Sequence, residues 1–249
     1  MANGSKHEAL LNEFVDKLRN AAGDNLTSVI LYGSAADGEF HAQYSDLNLL
    51  AIVRDASFAA LGRMADAIEW WQKKKHRPPL VLTESELKNS TDVFSIEFID
   101  MKQRYHVLYG QDALRDLAVP MQWHRAQLEY EVREKLFLLR QHLLLAGTHD
   151  KSLWEVMLNS LSSFTTLFRH VLIEMGEPGR KHSREAVQEL GSRLNFDASV
   201  FVQLIEIRAQ SLDRKRLAAA DVAAKYLAAI EKVTDAVDTM QSSPASSGR

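Results

Sequence analysis

The chain has 249 residues, of which 46% are apolar and 25% charged, and carries a net charge of −3. That balance is ordinary for a globular protein and gives no electrostatic reason to expect nucleic acid or an anionic membrane as a partner. Cysteine is absent, which excludes disulfides, thiolate metal sites and cysteine nucleophiles.

Residues 1–7 are polar and lead into an amphipathic segment, so no signal peptide is expected. Residues 8–22 place Leu10, Leu11, Phe14, Val15 and Leu18 at helical spacing, and Gly23 and Asn25 stop that helix. Residues 26–32 are rich in β-branched side chains and predict a strand. A loop with two glycines follows over 33–44, and 47–53 predict a second, buried strand. Residues 58–74 form one predicted helix with Leu61, Met64, Ala65, Ile68 and Trp71 on a single face, ended by Pro78-Pro79. Residues 80–82 predict a short third strand. Thr83 and Glu86 have the spacing of a capping box and open a short helical piece. The pattern over 94–104 fits helix and strand equally, and 106–109 predict a last strand closed by Gly110.

After Pro120 the pattern becomes wholly helical: 122–146, 154–175, 183–190, 198–211 and 218–240. Strands mixed with helices, then helices alone, predict an α+β protein of two domains. Residues 1–118 make a small mixed sheet of about four strands with flanking helices, and 119–241 make a helical bundle. The Ser/Pro/Gly-rich residues 242–249 predict a disordered tail. Apolar runs such as Leu143-Leu144-Leu145-Ala146 are far too short to span a bilayer, so a cytoplasmic protein without a membrane partner is expected. A ligand cleft is expected between the two domains, where pockets commonly lie.

Chemistry concentrates in one stretch. Leu31-Tyr32-Gly33-Ser34 ends the first strand, Gly38 lies in the loop, and Tyr44-Ser45-Asp46-Leu47-Asn48 opens the second strand. A glycine at such a turn lets the backbone approach a phosphate, turn amides form an anion-binding concavity, and the Ser34 hydroxyl adds a donor. Asp46 supplies the carboxylate oxygen that Mg²⁺ takes together with phosphate and water oxygens.

This pattern resembles the DNA polymerase β-like nucleotidyltransferase superfamily, including aminoglycoside and minimal nucleotidyltransferases. The likeness covers roughly residues 26–83, with Gly33, Ser34, Gly38, Ser45 and Asp46 matching by position, and the helical second half is similar in architecture to the aminoglycoside-modifying branch. It implies a nucleoside triphosphate held by Gly33, Ser34 and Ser45. It also implies Mg²⁺ on Asp46 and a hydroxyl acceptor on a small molecule or protein.

Two departures qualify that expectation. The family has Asp-x-Asp, whereas position 48 here is Asn. The third strand, Leu80-Val81-Leu82-Thr83, carries none of the third carboxylate the family places there. Two close divalent ions without compensating charge repel one another, and in-line displacement needs both ions clamped. The expectation is a single weak Mg²⁺ site on Asp46, with Asn48 a weak ligand, and nucleotide binding retained more readily than transfer. Glu97 and Asp100 are the candidates to make up the missing acid as catalytic groups. An active nucleotidyltransferase is the alternative. The basic run Lys73-Lys74-Lys75-His76-Arg77 fits a solvated helix end. One of Trp70 and Trp71 is expected in the core, and His142 and His170 are expected to be packed within apolar helical patterns. The Arg/His spacing of HEPN ribonucleases does not stand out in the helical half, which leaves a ribonuclease role without support.

Overall fold

The computed structural model describes residues 2–36, 46–177 and 181–240. Ser45, Gly38 and the tail 242–249, all singled out above, lie outside the described residues. The chain divides into two compact units, residues 1–120 and 121–249.

The first unit is built on a four-stranded mixed sheet in the order β3-β2-β1-β4, with β1 Leu26–Tyr32, β2 Asn48–Val53, β3 Leu80–Thr83 and β4 Tyr105–Gly110. β1 runs antiparallel to both β2 and β4, with Tyr32 opposite Asn48 on one side and Tyr105 on the other. β2 and β3 are parallel, joined by the helical crossover that parallel neighbours require. Strand alternation sorts the side chains onto two faces. Val29, Leu31, Leu49, Ala51 and Val53 pack against α1 (Ala2–Ala22) and α3 (Ala65–Lys73) through Phe14, Leu18 and Trp71. Ile30, Leu50 and Ile52 face the opposite way, onto Leu87 of α4 (Glu84–Asn89), Phe98 and Met101 of α5 (Ser95–Gln103), and Leu114 and Leu117. α4 begins with the expected capping box, in which Thr83 and Glu86 each satisfy the other's backbone amide.

One local expectation changes and one open alternative is resolved. The helix predicted over 58–74 is two helices, α2 (Phe58–Arg63) and α3, separated at Met64. Gly62 weakens the helix there, and the Met64 amide closes a tighter turn onto Leu61 at 3.0 Å. The buried positions Ala60, Met64, Ala67 and Trp71 keep helical spacing across the break, and Leu61 lies off that face and is exposed. The ambiguous segment 94–104 is helical as α5, which allows Phe98 and Met101 to share the face that covers the sheet.

The second unit is helical throughout its described residues: α6 (His124–Ala146), α7 (Asp150–Glu174), α8 (Ser183–Leu194), α9 (Ser199–Arg208) and α10 (Ala219–Thr239). α6 buries Leu128, Val132, Leu136 and Leu139, and α10 buries Tyr226, Ile230, Val233 and Val237, each at helical spacing. α7 is the central helix, with thirteen buried residues along its length. Phe164, Phe168, Phe201 and Tyr226 form a connected aromatic cluster in this core. His170 is fully buried, as expected; His142 is exposed, contrary to expectation, because it lies on the outer side of α6. Among the described residues no helix is long and apolar enough to cross a membrane.

Candidate functional site

The site lies where β1 ends and β2 begins. Antiparallel pairing of Tyr32 with Asn48 fixes the two strand ends side by side. Gly33 then turns the chain at φ +80° into a short 3-10 turn, Gly33–Ala36. A side chain at Gly33 would have its Cβ 3.3 Å from Asn48 Nδ2, so the glycine leaves room for that amide. The Gly33 N–H donates to the Arg104 carbonyl at 2.9 Å. That amide is therefore already engaged at the leading edge of β4.

Asp46 stands two residues before the strand pairing of Asn48. Its carboxylate is 42% exposed and forms an ion pair with the guanidinium of Arg77, Nε to Oδ2 3.1 Å, whose own side chain is 80% exposed. Sheet register explains the meeting. β2 and β3 pair Leu50 with Leu80 in parallel, and the same register continued backwards brings Arg77 level with Leu47, beside Asp46. The leader of the third strand therefore presents a cation to the site.

The two acids on α5 have different surroundings. Asp100 pairs with Arg104 at 2.9 Å, and Arg104 is almost fully buried, so this carboxylate neutralises a cation that the fold encloses. Glu97 lies close enough to Tyr32 for its charge, after burial of the ring, to help push the Tyr32 hydroxyl above its ordinary pKa. Tyr32 packs on the α5 side of the sheet, and Asn48 shares that side with Leu50 by strand alternation. Glu97 thus borders the Tyr32–Asn48 end of the sheet. Among the described residues, no group of three or more His, Asp or Glu side chains is placed to hold a metal ion.

Beside Arg77, the basic run is anchored by aromatic stacking. Trp71 is fully buried between Phe14 at 4.3 Å and His76 at 4.4 Å. Its indole N–H donates to the Arg77 carbonyl at 2.8 Å. Burial, and to a lesser extent His7, push the His76 pKa down, opposed by Asp46. Trp70 is half-buried, with Lys17 and Lys74 over its ring. Sequence reasoning treated the run as a solvated helix end; the signal for Arg77 lay in its place ahead of the third strand, which fixes its level against Asp46. A cavity of about 350 Å³ lined by Leu18, Ala51, Met64, Ile68 and Val81 lies on the α3 face, opposite Asn48, and is apolar. It has the wrong face and chemistry for a triphosphate.

The mixed sheet followed by a helical half is the α+β nucleotidyltransferase fold. No family model matches the chain, and no curated protein does. Among solved structures the chain is similar to the spectinomycin adenyltransferase AAD(9) from Enterococcus faecialis, whose crystal structure contains ATP and spectinomycin. Identity is 13% and the TM-score 0.58, over 91% of this chain and 99% of that one.

Proposed function

We propose that this protein binds a nucleoside triphosphate at the β1–β2 end of the sheet and has weak or no transferase activity, acting as a nucleotide sensor or partner-binding module. Ser34 and the amides after it hold the phosphates, with Ser45 contributing as the resemblance implies, and Asp46 is the carboxylate for a single Mg²⁺. The observation that carries this reading is the charge at the site: position 48 offers a neutral amide, and Asp46 is paired with Arg77. A donor set of one carboxylate and one amide fits one metal ion held jointly with the triphosphate. It does not fit the clamp of two ions that in-line transfer uses.

The structural likeness to an adenyltransferase crystallised with ATP and spectinomycin, spanning nearly the whole of both chains, favours a second reading. In it the protein transfers a nucleoside monophosphate to a hydroxyl of a small molecule or, in the broader form of the same reading, a protein. Glu97, bordering the Tyr32–Asn48 end, would take the acceptor's proton, whereas Asp100 is engaged by Arg104.

Calorimetric titration of wild type and Asn48→Asp with Mg²⁺–ATP and Mg²⁺–GTP separates the readings, followed by assay of pyrophosphate release with hydroxyl acceptors. The expected result is nucleotide binding by wild type without pyrophosphate release, and tighter Mg²⁺-dependent binding by Asn48→Asp. Release by wild type refutes the first reading in favour of the second; failure of wild type to bind either nucleotide refutes both.

A further inference from the structure

We infer that Arg77 takes the place of a metal ion, so that the site binds the triphosphate of a nucleotide with little dependence on Mg²⁺. This inference rests on the nucleotide-binding reading above; it keeps Asp46 as a weak Mg²⁺ ligand and makes Arg77, rather than that ion, the main holder of the triphosphate.

Three features place the guanidinium. The buried Trp71 indole holds the Arg77 carbonyl. Pro78 follows directly, which confines Arg77 to extended backbone. Parallel pairing of β3 with β2 then sets its level beside Asp46. Its neighbours in the run are directed elsewhere: Lys73 pairs with Glu69 at 2.7 Å, and Lys74 lies over Trp70. The Arg77 carbonyl is held, while its side chain remains 80% exposed with Nε 3.1 Å from Asp46 Oδ2.

The residues present at the site are poor in negative charge. A clamp for two divalent ions needs several carboxylates. Here position 48 is Asn, β3 carries no carboxylate, and Arg77 places a permanent cation beside Asp46. While Arg77 stands against Asp46 it competes with Mg²⁺ for the same oxygens, which Mg²⁺ must approach to about 2.1 Å. An ion pair this exposed contributes little in water. A triphosphate brings several negative charges and oxygens that match the planar guanidinium fork. Arg77 can therefore turn from Asp46 to the phosphates at small cost, delivering positive charge where the family resemblance places a metal.

The test is calorimetric titration of the full chain with ATP, GTP and inorganic tripolyphosphate, in EDTA and in Mg²⁺, for wild type, Arg77→Gln and Arg77→Lys. Melting curves check that each variant is folded. Wild type is expected to bind ATP or GTP in EDTA within about threefold of its affinity in Mg²⁺. Arg77→Gln should lose about tenfold in EDTA, the scale of one charge-assisted contact, yet recover in Mg²⁺ because Asp46 is released. Arg77→Lys should fall between, since lysine supplies the charge without the fork. Wild-type binding that requires Mg²⁺ overturns this inference and leaves the nucleotide reading standing. Unchanged binding by Arg77→Gln in EDTA also overturns it. No binding of nucleotide in either condition overturns the nucleotide reading and this inference together. Binding of tripolyphosphate in EDTA that Arg77→Gln weakens supports the assignment of Arg77 to the phosphates.

Discussion

Replacing Gly33 by Ala tests whether the turn at the end of β1 is set by backbone conformation or by crowding. At φ +80° an L-residue meets the left-handed penalty of about 1–2 kcal/mol. The added Cβ lies 3.3 Å from Asn48 Nδ2, the tip of a side chain, which relieves the contact by moving a few tenths of an ångström. Gly110 has nearly the same conformation, φ +76°, but a Cβ there would stand 2.0 Å from the Thr27 carbonyl oxygen and 3.2 Å from Ser28 Cα. That contact is with backbone, and relieving it separates β4 from β1 where Ser28 pairs with Gly110. Gly33→Ala should therefore cost about 1–2 kcal/mol, a fall in melting temperature of roughly 4–10 °C for a unit of this size. Gly110→Ala should cost clearly more. Thermal denaturation followed by tryptophan fluorescence reads both, because Trp70 and Trp71 belong to the first unit. Adding Asn48→Ala to Gly33→Ala removes the contact but leaves the conformational cost, so the double variant should stay below the Asn48→Ala parent by a similar margin. Equal losses at Gly33 and Gly110, or full recovery in the double variant, would refute the reasoning.

Two further predictions concern the helical unit. Tyr226 is fully buried, its hydroxyl 3.0 Å from Ser160 Oγ, and burial pushes its pKa above the ordinary value. The raised folded-state pKa means that the folded protein holds this proton more tightly than the unfolded chain. The contribution is fully present below about pH 10 and is lost as pH rises from there, by at most about 1.4 kcal/mol per pH unit. Tyr226→Phe should flatten the alkaline decline in urea-melt stability; an unchanged slope above pH 10 would count against it. His124 is fully buried on α6 and joins Glu174 through Nδ1 and His170 through Nε2, the latter at 2.8 Å. His124→Leu leaves the nearly buried Glu174 carboxylate without this partner and should cost about 3 kcal/mol. The double replacement His124→Leu/Glu174→Leu should recover much of that in chemical denaturation, and no recovery would show that the loss came from packing.

Much of this protein is written in local pattern. The β-branched run at 26–32 and the apolar run at 47–53 became β1 and β2, the capping pair Thr83 and Glu86 opened α4, and the wholly helical pattern after Pro120 became α6 to α10. These features depend on residues a few positions apart, so short-range spacing suffices to encode them. The neutral Asn48 was likewise legible, because it is a matter of residue identity at one place in a motif. Gly62 shows where pattern misleads: apolar spacing ran unbroken from 58 to 74, but one weak helix former and a tight turn at Met64 divided the helix.

The partners of charged groups were decided in three dimensions. Nothing in the sequence near Asp46 names Arg77, and nothing near His124 names Glu174, fifty positions away. The first pair is made by strand register and by a buried indole that holds the Arg77 carbonyl; the second by the antiparallel packing of two long helices. Asp100, a candidate acid by composition, was claimed by Arg104 once α5 formed and brought the two four residues apart onto one face. Sequence by itself settled most of the elements that form and that position 48 is a neutral amide two residues after Asp46. Only the tertiary structure decided that a cation stands against the remaining one, because electrostatic partnership depends on distance through space, which the register of distant strands controls.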